Sequence, residues 1–272
     1  MKFQMLRIAL DKIRQVWRRG RTRGWRQARV CATVYAINGW TRLRNRWCRS
    51  FRRECPCCGW RGWGFRAIDC GDFLVPEAEC PQCFGQERHR LMAIFLEREG
   101  LPMVSGARVL HFAPERQLTD WIRRDNRAGL SVNVDIDRNR VLGEARPCVQ
   151  MDMQRMPFAD RVFDLGFCLH VMEHVPDDRA GFSELRRVMK REGTLVLMVP
   201  FMMGQSETIE YGAPDPDMFD HVRGYSPLDF EKRLVGWRFR KIMPRDVMTE
   251  EERTRFAIPP DSQVIYLCSP NQ

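Results

Sequence analysis

The sequence predicts an α/β protein built around a doubly wound, mostly parallel sheet, preceded by a small cysteine-bearing module and a basic helical segment. Three observations carry that expectation. ARVLHFAPE, from Ala107 to Glu115, reads as a buried strand and its turn; a helical span follows, and LSVNVDID, from Leu130 to Asp137, reads as a second strand with Asp135 at its tip. Strand-like and helix-like segments then alternate toward the C-terminus, as parallel pairing requires. Upstream, Pro102 and Gly106 mark a junction with a stretch of different composition.

A chain of 272 residues has room for one α/β domain of about 150 to 200 residues and a smaller module. With 44% hydrophobic and 29% charged residues, wholesale disorder is excluded. The expected division is 1–54, 55–100 and 101–272. No apolar run reaches the roughly 18 residues of a spanning helix, the nearest being VCATVYAI from Val30 to Ile37. That run also sits too far in, behind too many arginines, for a cleaved secretory signal. A cytoplasmic protein is expected, with peripheral attachment at the inner membrane surface as the extension of that expectation.

The net charge of +10 is unevenly spread. Residues 1–54 hold 16 Lys or Arg against Asp11 and Glu54, whereas the remainder carries 29 basic and 33 acidic residues. Phe3, Leu6, Leu10, Ile13 and Trp17 recur at intervals of three and four, the signature of an amphipathic helix, and a Trp/Arg-rich stretch follows from Trp40 to Arg53. Four readings stand for this segment: a solvated helix packing its stripe on the protein or a partner, a helix lying on an anionic membrane surface, an arm that holds RNA phosphates and stacks bases, and, from its Arg-rich and acid-poor composition, an organelle transit peptide.

Eleven cysteines are an odd number, concentrated in two pairs, which favours metal in a reducing compartment over a disulfide scaffold. Cys55-Pro56-Cys57-Cys58-Gly59 and Cys80-Pro81-Gln82-Cys83 each turn two thiolates toward one point, and tetrahedral Zn²⁺ needs four. Cys55, Cys58, Cys80 and Cys83 are the expected ligands, with Cys57 competing for the first knuckle. Four thiolates leave no open position, so the zinc would be structural. Trp60, Trp63, Phe65 and Phe73 are the expected core of this module. A connecting helix is expected from Gln86 to Gly100 on the apolar set Leu91, Ile94 and Phe95.

Strands are expected at 107–112, 130–135, about 147–151, 162–168, 194–199, 238–243 and 263–268, with helices near 115–125, 178–190 and 227–235. The last two strands lack a crossover between them and should form an antiparallel hairpin at the sheet edge. Ligands of such sheets lie across the carboxyl ends of the strands where strand order reverses. The residues there are His111, Phe112, Ala113 and Glu115 after the first strand, Asp135 after the second, Asp152 and Met153 after the third, and Cys168 to His174 after the fourth. Asp135 offers two acceptor oxygens for a pair of ribose hydroxyls, and Asp152 an acceptor for an exocyclic amine.

Residues 151–200, MDMQRMPFADRVFDLGFCLHVMEHVPDDRAGFSELRRVMKREGTLVLMVP, resemble the central part of class I S-adenosylmethionine-dependent methyltransferases of the type 11 kind. CPCCGW, CPQCFGQERHR, VLHFAPE and FDHVRGYSPLDFEKRL together resemble a bacterial subgroup with an N-terminal zinc-binding module. The resemblance implies a Rossmann-like seven-stranded methyltransferase sheet, S-adenosylmethionine as cofactor and a structural Zn²⁺. It implies that His111, Phe112, Ala113, Glu115, Asp135, Asp152, Met153 and Cys168 surround the cofactor, with His170 at the start of a helix after strand four. One departure is notable: HFAPE has no glycine where the family usually has several, and Ala113 is the smallest residue able to take that place.

Methyl transfer from a sulfonium needs alignment above all, and a base only if the acceptor must lose a proton. His221, in the polar insertion Met202 to Gly224, and His170 are the candidate bases, being poised near neutral pH. The first expectation is methylation of a small molecule, glycan or lipid-linked precursor near a membrane. The second is an RNA methyltransferase, and the third a non-catalytic zinc-ribbon scaffold that keeps the sheet without turnover.

Overall fold

The computed structural model describes residues 2–101, 103–125, 127–137, 147–215 and 219–271, with the side chains of residues 2–10 and 12 outside that description. The chain forms two compact units: Met1–Arg90 with Thr254–Ala257, and Leu91–Arg253 with Ile258–Gln272.

In the first unit, two long helices, α1 (Lys2–Arg23) and α2 (Trp25–Trp47), are followed by the short strands β1 (Arg53–Glu54), β2 (Arg61–Gly62), β3 (Arg66–Asp69) and β4 (Leu74–Glu79). The strands make two antiparallel hairpins, β1 with β2 and β3 with β4. The Phe3, Leu6 and Leu10 side chains lie outside the described residues; Ile13 and Trp17, from the same stripe, are 55% and 54% exposed. α2 instead buries Gln27, Ala28, Cys31, Val34 and Thr41 at helical spacing. Two asparagines on it, seven residues apart, satisfy backbone groups of the hairpins: Asn38 with both the N–H and the carbonyl of Ala67 (2.7 and 3.0 Å), and Asn45 with the N–H groups of Trp63 and Gly64 and the Gly64 carbonyl. Phe65 is the centre of the small core, with Trp60 against it at 5.4 Å, whereas Phe73 is exposed. Trp63 instead takes Arg44 and Arg52 onto its ring faces at 4.2 and 4.6 Å.

α3 (Glu87–Arg98) leads into the second unit, where β5 (Ala107–Phe112), α4 (Arg116–Arg124), β6 (Ala128–Asp135), β7 (Cys148–Gln150) and β8 (Phe163–Leu169) build the first half of the sheet. α5 (Asp178–Val188) and β9 (Met189–Met198) come next, then a hairpin of β10 (Ile209–Asp215) and β11 (His221–Gly224). The edge is β12 (Trp237–Ile242), the short helices α6 (Pro244–Val247) and α7 (Glu250–Phe256), and β13 (Ile265–Pro270). The seven-stranded sheet has the order β12-β13-β9-β8-β5-β6-β7, with β13 antiparallel to both neighbours and the other described pairings parallel. This is a doubly wound, Rossmann-like arrangement. Strand order reverses between β5 and β8, which puts the ligand-binding crevice at their carboxyl ends.

Two local expectations change. The segment expected as a helix at 227–235 is only a 3₁₀ turn over Phe230–Arg233, too short a span between Pro227 and Gly236 to propagate an α-helix. His170 to Val175 do not begin the helix after the fourth strand either. Met172–His174 is an isolated 3₁₀ turn, and α5 starts only after Pro176, with the Asp177 carboxylate accepting the Ala180 N–H at 3.0 Å as its cap. Among the described residues no helix is long and apolar enough to cross a membrane.

Candidate functional site

In the first unit the turns after β1 and β4 are matching knuckles. The Cys55 carbonyl accepts the N–H groups of Cys58 and Gly59, the Cys80 carbonyl accepts that of Phe84, and Cys80 and Cys83 sulfurs receive the N–H groups of Gln82 and Gly85. Gly59 (φ 72°) and Phe84 (φ 59°) hold the same left-handed position after their respective second cysteines. The four sulfurs of Cys55, Cys58, Cys80 and Cys83 lie within 4.8 Å of one another, with Cys55–Cys83 at 3.7 Å and Cys58–Cys80 at 3.8 Å. Tetrahedral bonds of about 2.3 Å to zinc separate sulfurs by about 3.8 Å, so these thiols fit that ion. Cys57 is not one of these four, although its thiol interacts with those of Cys55 and Cys83.

One residue of this unit escaped sequence reasoning. Arg90, in a charged run that reads as surface, is fully buried and donates to the carbonyls of Glu77, Ala78, Gly85, Phe256 and Ala257, over 2.7 to 3.2 Å, while its guanidinium covers Phe65 at 4.4 Å. Burial pushes its pKa down, and Glu87 and the neighbouring thiolates push it back up.

In the second unit a cavity of about 420 Å³ opens at the carboxyl ends of four strands. Phe112 and Ala113 line it from β5, Asp135 and Ile136 from β6, Met151 to Gln154 from β7, and His170, Val171, His174, Val175 and Pro176 from β8. Six expected residues therefore meet here: Phe112, Ala113, Asp135, Asp152, Met153 and His170. Ala113 takes φ 43°, the left-handed conformation that a glycine would supply, and its N–H donates to the Val134 carbonyl. His170 is also left-handed (φ 54°), its Nε2 3.1 Å from Gln263 Oε1 and its Nδ1 3.7 Å from Glu173 Oε1. The Asp135 carboxylate accepts the Asp137 N–H at 2.8 Å, and both Asp152 oxygens receive the Gln154 amide at 3.0 Å.

The other expected residues stand behind or beside the cavity. His111 is 1% exposed, packs edge-on to Phe167 and accepts the Glu115 N–H, so it supports the turn from beneath. Burial lowers its pKa to about 4. Glu115 is the N-cap residue of α4, and Cys168 is buried within β8, its thiol pushed well above its usual range by burial and by Glu173. His221 sits on β11 with its ring edge to face with that of His174, centroids 4.7 Å apart; burial first, and then His174, lower its pKa to about 4.

The hairpin carrying His221 is pinned by Arg223, only 3% exposed, which donates to the carbonyls of Met172, Val175 and Pro176 and pairs with Glu210. Tyr225 and Arg233 both reach Asp178, at 2.8 and 2.7 Å. The signal was present in the sequence as period-two spacing: His221, Arg223 and Tyr225 alternate along one face.

Residues 116–197 match the family described as methyltransferase domain. An uncharacterized protein of Methanocaldococcus jannaschii is 33% identical over 70 residues, 26% of this chain and 30% of that protein, so the match spans less than a third of the relative's length. A solved S-adenosylmethionine-dependent methyltransferase from Archaeoglobus fulgidus superposes with TM-score 0.46 and 16% identity, over 66% of this chain and 94% of that one. A chain from the Haloferax volcanii complex of the Trm112 methyltransferase activator with a methyltransferase gives TM-score 0.47 and 14% identity, over 68% and 91%.

Proposed function

We propose that this chain is an S-adenosylmethionine-dependent methyltransferase with a structural zinc ribbon. The observation that carries the reading is the cavity at the switch point between β5 and β8, with Asp135 at the tip of the neighbouring strand. The residues fit the cofactor: Asp135 offers carboxylate oxygens for ribose hydroxyls, Asp152 and Met153 border the place for the adenine, and Ala113 gives the glycine-poor turn a glycine-like backbone. S-Adenosylmethionine, when bound, supplies a methyl carbon activated by its sulfonium. His111 and Glu115 shape the turn beneath it and Cys168 the strand behind it. His170, on the cavity wall and held by Gln263 and Glu173, is the better placed of the two candidate bases.

The acceptor we favour is a small molecule, glycan or lipid-linked precursor at an anionic membrane surface. On α2 and just after it, Trp25, Trp40, Trp47 and Phe51 are 56%, 59%, 74% and 66% exposed among basic residues, which supports surface attachment by residues 1–54 on the inner face of the membrane. The Trp63 ring between Arg44 and Arg52 favours RNA as the second reading.

Calorimetric titration with S-adenosylmethionine tests the first claim, with Asp135→Ala expected to weaken binding about tenfold or more. Absence of binding by the wild type at millimolar cofactor would leave the non-catalytic scaffold. Transfer of labelled methyl into a cell extract, separated into RNA, lipid, glycan and small-molecule pools, identifies the acceptor class.

A further inference from the structure

Beside the cavity stand three donors that the functional reading leaves without a joint role. Glu173 and His174 come from the 3₁₀ turn after β8, and His221 comes from β11. One ligand atom of each lies within 4.8 Å of the others. Glu173 is 1% exposed, and the two imidazoles meet edge to face. We propose that Glu173, His174 and His221 bind a divalent first-row transition-metal ion at the edge of the cavity.

A second, independent observation points the same way. His174 Nδ1 is 3.2 Å from the Asp220 carbonyl, a contact that places the ring hydrogen on Nδ1 and leaves the Nε2 lone pair as a ligand. Metal-binding histidines are typically oriented in this manner by a carbonyl or carboxylate behind them. The donors are also held in place from two sides. Arg223 ties the hairpin that bears His221 to the carbonyls of Met172, Val175 and Pro176, on either side of Glu173 and His174. Neighbouring ligands of an ion with bonds of about 2.1 Å stand about 3 to 4 Å apart, so the side chains need close by only about an ångström.

Two imidazoles and one carboxylate suit Mn²⁺, Fe²⁺, Co²⁺, Ni²⁺ or Zn²⁺ better than Mg²⁺ or Ca²⁺, which prefer oxygen alone. Three protein ligands leave coordination positions open, in contrast to the closed set of four thiols in the ribbon. His174 lines the cavity, so an ion on it borders the space where an acceptor would enter. Resting on the methyltransferase reading, this selects an acceptor with a hydroxyl group: coordination weakens its O–H bond, the proton passes to solvent, and the electron pair remains on the oxygen facing the cavity. His221 then serves as a ligand, and His170 is left as the residue nearest a proton-transfer role.

The test uses the full chain as purified, without added cofactor or acceptor, so it is independent of methyl transfer. Mn²⁺ is titrated in and free Mn²⁺ read by electron paramagnetic resonance, since Mn²⁺ prefers nitrogen and oxygen donors over thiolates. One bound equivalent is expected, with affinity reduced about tenfold or more in His174→Ala and in His221→Ala, both checked for an unchanged unfolding midpoint. Asp135→Ala should leave Mn²⁺ binding unchanged while weakening the cofactor. Absence of Mn²⁺ binding, or equal binding in wild type and in folded His174→Ala and His221→Ala, overturns the proposal. If those variants fail to fold, Co²⁺ added to the wild type decides: weak d–d bands from nitrogen and oxygen ligands support the site, and thiolate charge-transfer bands alone overturn it.

Discussion

The backbone N–H of Ala113 donates to the carbonyl of Val134 over 2.8 Å, and this bond fixes the turn between β5 and α4 against the end of β6. It holds Ala113 at φ 43°, so the turn keeps the backbone shape of a glycine loop without a glycine. A left-handed alanine costs about 1 kcal/mol relative to glycine, and a β-branched residue costs more.

Ala113→Gly should therefore raise stability by about 1 kcal/mol and retain S-adenosylmethionine binding, whereas Ala113→Val should lower both. Urea unfolding and cofactor titration on the same preparations read the two effects separately. A destabilising glycine would contradict the strain assigned to this turn.

His111 gives a pH prediction. Its pKa falls from 6.5 to about 4 through burial, so between those values the unfolded chain binds the proton and the folded chain does not. Stability therefore drops as pH falls from 6.5 toward 4, by about 2 kcal/mol from this residue at pH 5. His111→Phe removes that component, and its unfolding midpoint should change less between pH 7 and pH 5 than that of the wild type.

Metal removal should act on the first unit. With only a small core around Phe65, Trp60 and the cysteines, the paired knuckles should depend on the zinc ion proposed for them. Chelation, or Cys80→Ser, should abolish one equivalent of zinc and expose Trp60 to solvent, seen as a red shift in tryptophan emission. Protein purified without chelator and found free of zinc would rule out the ribbon.

Arg90→Met should destabilise the first unit by about 3 kcal/mol or more, because five carbonyl oxygens lose the guanidinium that donates to them inside the fold. Arg90→Lys should recover little of this, since an ammonium cannot match the planar fork. Denaturant unfolding with zinc content measured in parallel separates lost packing from lost metal.

The central strands β5, β8 and β9 were legible because their buried runs, such as the stretch from Val109 to Phe112, are long and bounded by turn residues. The β10–β11 hairpin was not, because most of β10 is exposed and carries no apolar alternation. The cavity was legible at Asp135 and Asp152 from the rule of strand ends. The left-handed backbones of Ala113 and His170 were hidden, since they are imposed by pairing with Val134 and Met198 and not by local sequence. Arg90 was hidden for a related reason. A charge inside ERHR reads as solvated until carbonyls distant in sequence close over it.

That closure has a consequence for synthesis. Phe256 and Ala257, two of the Arg90 acceptors, lie 166 and 167 residues further along the chain. At 5 to 20 residues per second a ribosome takes roughly ten to thirty seconds to reach them. The unit translated first is thus completed only after most of the second has emerged: its arginine must wait, partly unsatisfied, until every strand of the sheet but β13 has been made.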